Sequence, residues 1–195
     1  DVLLQVGPAP IEGAVVLARE VADRLTGLDR GDLDKALVAP DDPGISVVEP
    51  ALLAAELGAS AMHDPTEGGL AAGLHEMAEA SGVLVRVDLS SVLWFGPGRA
   101  VCEALAADPM ATLASGSLLA AFRPDRAQAA LRALAGHGHA ASDIGRVGDG
   151  SGVCDVDGRP LKARKGQMII QLTDQAGVYV PRFCYHEKLS IAANC

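Results

Sequence analysis

His63-Asp64-Pro65-Thr66-Glu67-Gly68-Gly69-Leu70 is the stretch on which the reading of this chain turns. Pro65 disfavours a helical backbone at Asp64, so the segment before it is extended or turning. Asp64 or Thr66 can then cap a following helix by accepting from its free N–H groups. Gly68 and Gly69 leave the first helical turn bare of side chains. A bare helix N-terminus offers several N–H donors and a partial positive charge, which suits a phosphate or an acyl-phosphate. Asp64 is a candidate for metal binding or proton transfer, and His63 for an acid, a base or an orienting donor. The residues alone leave a second account open, in which this is a capped helix whose glycines permit close packing.

Outward from this turn, the sequence alternates strand and helix signals. Leu70, Leu74, Met77 and Ala78 place one apolar face on a helix over 70–80. VLVRVDL (83–89) is β-branched and alternating, a strand. The turn WFGPG (94–98) leads to a helix over 99–107, then a strand over 117–122, a helix over 124–138 and a last strand over 139–147. Pro124 near the start and Gly136 at the end bound the penultimate element. Upstream, VLLQV (2–6) reads as a buried strand, and Ile11, Ala14, Val15, Ala18, Val21, Ala22 and Leu25 recur at helical spacing. Residues 26–45, rich in Asp, Gly and Pro, read as mostly loop with one helical turn. Residues 48–57 form a helix that Gly58 stops. The expected fold is α+β, a mixed sheet with helices packed on it.

Of 195 residues, 49% are hydrophobic, 21% charged and only 3% aromatic, so the core must be built from Ala, Val and Leu. A net charge of −9 argues against a nucleic-acid partner, which needs a basic face. No stretch approaches the roughly 18 apolar residues of a membrane helix. The opening DVLLQVG lacks the basic and apolar regions of a signal peptide and reads as the middle of a longer protein. With no secretory context, the four cysteines are expected to be reduced thiols in a cytoplasmic protein. Cys102, beside Val101 and Leu105, reads as a buried, inert thiol. Trp94 reads as a core anchor, His75 as solvent-facing, and Glu76 and Glu79 as a solvated helix face. His137 and His139 read as a polar helix-to-strand turn rather than a metal pair.

HDPTEGGLAAGLHEMAEASGV (63–83) resembles the C-domain motif of the aminoimidazole ribonucleotide synthetase superfamily, which includes selenophosphate synthetases, thiamine-phosphate kinases and hydrogenase-maturation carbamoyl dehydratases. The hydrogenase-maturation branch is similar in three further places: residues 1–25, the block DP followed by ATLASGSLLAAF (108–122), and IGRV (144–147). The resemblance implies a synthetase-type C-terminal domain over 1–152. It further implies that an N-terminal half, forming a dimer barrel and carrying an Asp-rich Mg²⁺-ATP site, closes against this one. His63 and Asp64 would be catalytic, and Thr66, Gly68 and Gly69 would bind substrate or phosphate. No Gly-Asp-Asp cluster is present, and Asp41-Asp42-Pro43 is a poor substitute, so this chain alone is expected not to turn over ATP. It departs from the hydrogenase branch at Ser115, where that branch carries an acidic residue before the glycine.

Composition changes beyond about residue 152: both tyrosines and the only asparagine lie past residue 165. GRPLKARKGQMIIQLTDQAGVYVPRFCYHEKLSIAANC (158–195) resembles the N-terminal ferredoxin-like domain of the large iron-sulfur subunit of NADH-quinone oxidoreductase. That resemblance implies a partial β-grasp tail over 153–195, with a hairpin at about 153–164 and a helix at 167–176. Cys184 and Cys195 would be two of the four thiolate ligands of a [2Fe–2S] cluster. Two do not suffice, so a bound cluster is not expected. Beside an ATP-dependent synthetase half, the sequence leaves open an iron-sulfur electron carrier, read from the tail, and a non-catalytic interaction module.

Overall fold

The computed structural model describes residues 1–150, 154–156 and 159–160. Strands β1 (Val2–Val6), β2 (Ala61–His63), β3 (Leu84–Val87), β4 (Leu118–Phe122), β5 (Ala141–Gly148), β6 (Cys154–Val156) and β7 (Arg159–Pro160) form one sheet in the order β2-β4-β1-β5-β3-β6-β7. The first five are antiparallel to their neighbours; β6 joins β3 in parallel, and β7 returns antiparallel to β6. The sheet is therefore mixed, as expected. Helices α1 (Glu12–Glu20), α2 (Arg30–Val38), α3 (Val48–Glu56), α4 (Gly69–Ser81), α5 (Gly96–Ala104) and α6 (Pro124–Gly136) pack on it and on one another. The expected hairpin at 153–164 is present to the extent of β6 and β7, and the expected helix at 167–176 lies outside the described residues. Among the described residues, no helix is long and apolar enough to cross a membrane.

The alternation of β1 and β4 builds two cores. On one face Leu3, Leu119, Ala121, Ile144 and Val85 meet Leu70, Leu74 and Ala78 of α4. On the other, Val2, Leu4, Val6, Leu118, Ala120 and Phe122 meet Ala54 of α3 and Ala127, Ala130 and Leu134 of α6. Every residue of β1 is buried, including Gln5, which sits amid apolar neighbours because its amide is fully used. Gln5 donates to the carbonyls of Gly7 and Leu93 and accepts from the Leu93 N–H, stitching β1 to the segment before α5.

Two expectations about these elements need correction. Residues 26–45 hold more than one helical turn: α2 spans nine of these twenty residues, capped by Asp29, whose carboxylate accepts from Gly31 and Asp32 N–H at 2.8 and 3.2 Å. The Asp and Gly residues read as breakers are the cap and first turn. Leu33, Ala36 and Leu37 supply the apolar face, against Ala14, Ala18 and Val101. The first helix stops at Glu20, and Ala22–Arg24 continue as a tighter 3₁₀ turn. The edge strand β2 had no signal of its own, since three residues are too few for alternation to register.

Cys102 is fully buried on α5, its thiol 3.5 Å from the Thr112 hydroxyl. Burial pushes its pKa up, with Asp108 and Glu103 adding to the shift against the Thr112 hydrogen bond. The neutral thiol therefore favours the fold below the unfolded thiol's pKa, and that contribution is lost as pH rises towards the folded value. Iodoacetamide labelling followed by peptide mass spectrometry should find Cys102 slowed by on the order of a thousandfold or more for a fold stable by about 5 kcal/mol. Labelling at the rate of an unfolded thiol would show that α5 opens locally.

Candidate functional site

The turn at 63–69 sits at the end of the edge strand β2, where β2 pairs with β4 through Ala61, Met62 and His63 against Ala121, Ala120 and Leu119. Pro65 is buried, and any side chain at Gly73 of α4 would strike it, a Cβ there lying 2.6 Å from the Pro65 Cβ. The Thr66 N–H donates to the Asp64 carbonyl at 2.8 Å, and the Thr66 carbonyl accepts from Ala114 N–H at 3.2 Å. Gly68 and Gly69 follow with φ of 71° and 64°, two left-handed residues in succession that glycine adopts without penalty.

Neither Asp64 nor Thr66 caps α4. The cap position is Gly68, and no side chain bonds there. The helix begins three residues beyond Thr66, and the segment 108–116 lies across its start. The Met110 carbonyl takes the Ala71 N–H at 2.9 Å. A Cβ on Gly69 would come within 2.4 Å of the Thr112 carbonyl oxygen and 2.5 Å of that of Met110. Gly69 and Gly73 thus permit close packing, while the first helical turn is partly committed to the protein's own backbone.

His63, Asp64 and Glu76 converge beside this turn. His63 Nε2 lies 2.5 Å from Glu76 Oε2, and its Nδ1 lies 3.8 Å from Asp64 Oδ1. The histidine side chain is 27% exposed and the two carboxylates more than half, so the group opens to solvent while Glu76 holds the ring at Nε2 and Asp64 lies near Nδ1. A neutral ring donating Nε2–H to Glu76 keeps Nδ1 as an acceptor facing outward; a protonated ring donates on both sides. The neutral ring can take a proton from a bound group at Nδ1, and the protonated ring can give one up. Glu76, which reads from sequence as part of a solvated face, gave no sign there of this contact. It is seven residues, two helical turns, into α4, so the helix returning along β2 lays it over His63.

Among the described residues no group of three or more His, Cys, Asp or Glu is placed to hold a metal ion. Mg²⁺ takes near-octahedral oxygen coordination through carboxylates and substrate phosphates, and these residues do not by themselves fit it. Asp41 and Asp42 lie in an exposed turn. The Ser115 hydroxyl donates to the Glu12 carboxylate in a very short hydrogen bond, so an acidic group reaches this position from α1 instead of from residue 115 itself. The neighbouring Ser117 is buried and donates to the carbonyls of Gly7 and Pro8.

Elsewhere, Trp94 packs on the α4 core with Arg99 5.5 Å above its ring, as an anchor should. His75 is not solvent-facing: its side chain is 15% exposed, and Glu79 lies 3.6 Å from it. His137 Nδ1 reaches the Ala133 carbonyl at 2.8 Å and closes the end of α6, and His139 Nε2 lies 3.9 Å from Glu49. Cys184 and Cys195 lie outside the described residues.

The family profile for AIR synthase related protein, C-terminal domain, matches residues 1–156. The crystal structure of Escherichia coli HypE, a hydrogenase maturation protein, superposes with a TM-score of 0.63 and 26% identity over 88% of this chain and 52% of that one. A HypE in complex with ATP shares the fold, with a TM-score of 0.59 and 22% identity over 88% and 52% of the two chains. Carbamoyl dehydratase HypE of Rhizobium leguminosarum bv. viciae is 40% identical over 88 residues, 44% of this chain and 25% of that protein. A separate similarity, 58% over 40 residues, links 20% of the chain to 5% of the mitochondrial NADH dehydrogenase iron-sulfur protein 1 of Solanum tuberosum. The chain spans about half the length of the HypE structures it matches. By its family match over residues 1–156 and by its fold, the chain belongs to the AIR synthase related proteins and carries their C-terminal domain.

Proposed function

We propose that the described domain is the cleft-closing half of an ATP-dependent synthetase or hydrogenase-maturation-type enzyme, with the 63–69 turn at its reacting edge. It would act with an ATP-binding half equivalent to the other part of the relatives' length, joined in the same polypeptide, supplied by another chain or arranged in a homodimer. The observation that carries this reading is the His63–Glu76 pair, which holds an accessible imidazole beside the exposed Asp64 carboxylate. The family membership and the ATP complex of a protein of this fold support the choice of nucleotide. In this reading ATP phosphorylates a carbonyl or amide oxygen, and the phosphate is then displaced or eliminated. His63 moves the proton, Glu76 orients it, and Asp64 faces the ligand with Thr66, Gly68 and Gly69. Mg²⁺ would be held chiefly by the ATP-binding half. The proposed domain limit is near residue 152, and the proposed setting is the cytoplasm.

Calorimetry with a non-hydrolysable ATP analogue and Mg²⁺ tests the reading, on the chain alone and with a family ATP-binding half added. Binding heat is expected only with both parts present. Asp64→Ala should weaken it roughly tenfold or more, since a hydrogen bond to a charged group contributes about 1.5–3 kcal/mol. Binding by neither sample, or affinity unchanged in Asp64→Ala, would remove this turn from the nucleotide site.

A further inference from the structure

A cleft of about 500 Å³ opens on the β3 side of the sheet, lined by Arg86, Val87, Asp88, Ser91, Asp143, Gly145 and Arg146. All belong to β3, β5 and the turn after β3; none belongs to an α-helix. It is separate from the 63–69 turn: β2 and β3 are four strand spacings apart in the sheet, roughly 19 Å.

The lining carries two arginines and two aspartates, and the strand register explains how the arginines meet. Arg86 and Arg146 are direct cross-strand partners, so two guanidinium side chains leave the same face of the sheet side by side. Like charges placed opposite each other oppose the pairing of their strands. Arg146 is partly compensated. Its terminal nitrogen donates to the Asp143 carboxylate, in a very short contact, and to the Gly145 carbonyl at 2.8 Å. Residues three apart on a regular strand face opposite ways. The extra residue in β5 opposite Leu3 and Leu4 turns Asp143 and Arg146 to one face, which lets them pair. Arg86 stands opposite Asp155 of β6 in the strand register, and among residues 1–150 no carboxylate lies within ion-pair distance of it. The nearby Asp88 is already committed: its carboxylate accepts from the Ser90 and Ser91 hydroxyls at 2.6 and 2.8 Å and from Ser90 N–H at 3.0 Å. Between them β3 and β5 approach closely, since a Cβ on Gly145 would lie 2.2 Å from the Arg86 carbonyl oxygen.

We infer that this cleft is an anion site for the phosphate group of a small phosphorylated molecule, gripped between Arg86 and Arg146 over the Gly145 backbone. A phosphate group between the two guanidinium groups removes their repulsion and matches their planar forks, which bind phosphate through paired N–H donors. The size suits a small metabolite, since ligand pockets run from about 300 to 1,000 Å³.

The test is a titration of the full chain with inorganic phosphate and then pyrophosphate at constant ionic strength. It is followed by NMR at the Gly145 amide and the Arg86 and Arg146 Nε–H groups. Saturable shifts at these three groups, with pyrophosphate displacing phosphate and chloride failing to do so, are the expected result. Arg86→Gln should weaken the site about tenfold or more, with Arg86→Lys between it and wild type because the charge remains and the fork is lost. Shifts that do not saturate, or saturation equal in wild type, Arg86→Gln and Arg146→Gln, would overturn the inference. So would shifts that chloride reproduces. Arg86→Lys preserves the charge pattern of the strand pair and keeps the comparison open if Arg86→Gln fails to fold.

Discussion

Gly69→Ala is expected to destabilise the fold by about 2–5 kcal/mol, although it adds one methyl group. Two costs combine. The backbone at Gly69 has φ of 64°, where an L-residue costs about 1–2 kcal/mol. The added Cβ would sit 2.4 and 2.5 Å from two carbonyl oxygens of the 108–116 segment, and forced overpacking of this kind costs typically about 1–3 kcal/mol. The backbone contribution can be isolated. Gly82, at the other end of α4, has φ of 63° and nothing within 4 Å of where a Cβ would stand, so Gly82→Ala should show the conformational cost alone. Urea unfolding of both variants decides the point: a midpoint shift for Gly69→Ala no larger than for Gly82→Ala would mean that 108–116 does not clamp the helix start. Because that clamp also positions Thr66 through Ala114, the same variant should disturb the nucleotide binding proposed for this turn, while Gly82→Ala should not.

Strands β1, β3, β4 and β5 and five of the six helices were legible because each rests on local periodicity. VLLQV is apolar but for Gln5 and buried throughout; PDRAQAALRALAG has its Pro and Gly at the ends of the helix it forms. α2 escaped because its identity is tertiary: a nine-residue helix with three Asp nearby becomes one only when Leu33, Ala36 and Leu37 find α1 and α5. The site divides the same way. The glycine turn is a local feature and could be read, whereas Glu76 over His63 depends on how α4 folds back along β2, thirteen residues after the histidine. The Arg86–Arg146 pairing needed strand register, and a single-residue bulge in β5 brings Asp143 to the same face as Arg146; no periodicity reports either in advance. Helix capping by Asp64 or Thr66 was a sound local expectation that lost to the 108–116 segment, whose carbonyl reached the Ala71 N–H.

Phe122→Ala is expected to remove about 3–5 kcal/mol, the range for emptying a fully buried phenylalanine, and to fall towards its upper end. Phe122 is 0% exposed at the end of β4, opposite Val2, and is the only aromatic ring in its cluster among the described residues. Its neighbours there include Ala54, Ala120, Ala127 and Ala130, whose side chains are too short to collapse into the space. Chains with few aromatics concentrate core volume in a few rings, so each loss leaves a void that little can fill. Phe122→Leu should retain most of the stability, because it keeps a branched apolar group at the same site. The alternation of β4 also confines the damage. Leu119 and Ala121, which hold β2 and face α4, point away from Phe122. At temperatures where Phe122→Ala remains folded, the NMR signals of His63 should therefore keep their wild-type positions while the unfolding midpoint drops. A variant that shifts His63 as strongly as it lowers the midpoint would show instead that the two faces of the sheet are mechanically coupled, and that the α3–α6 core helps to position the candidate site.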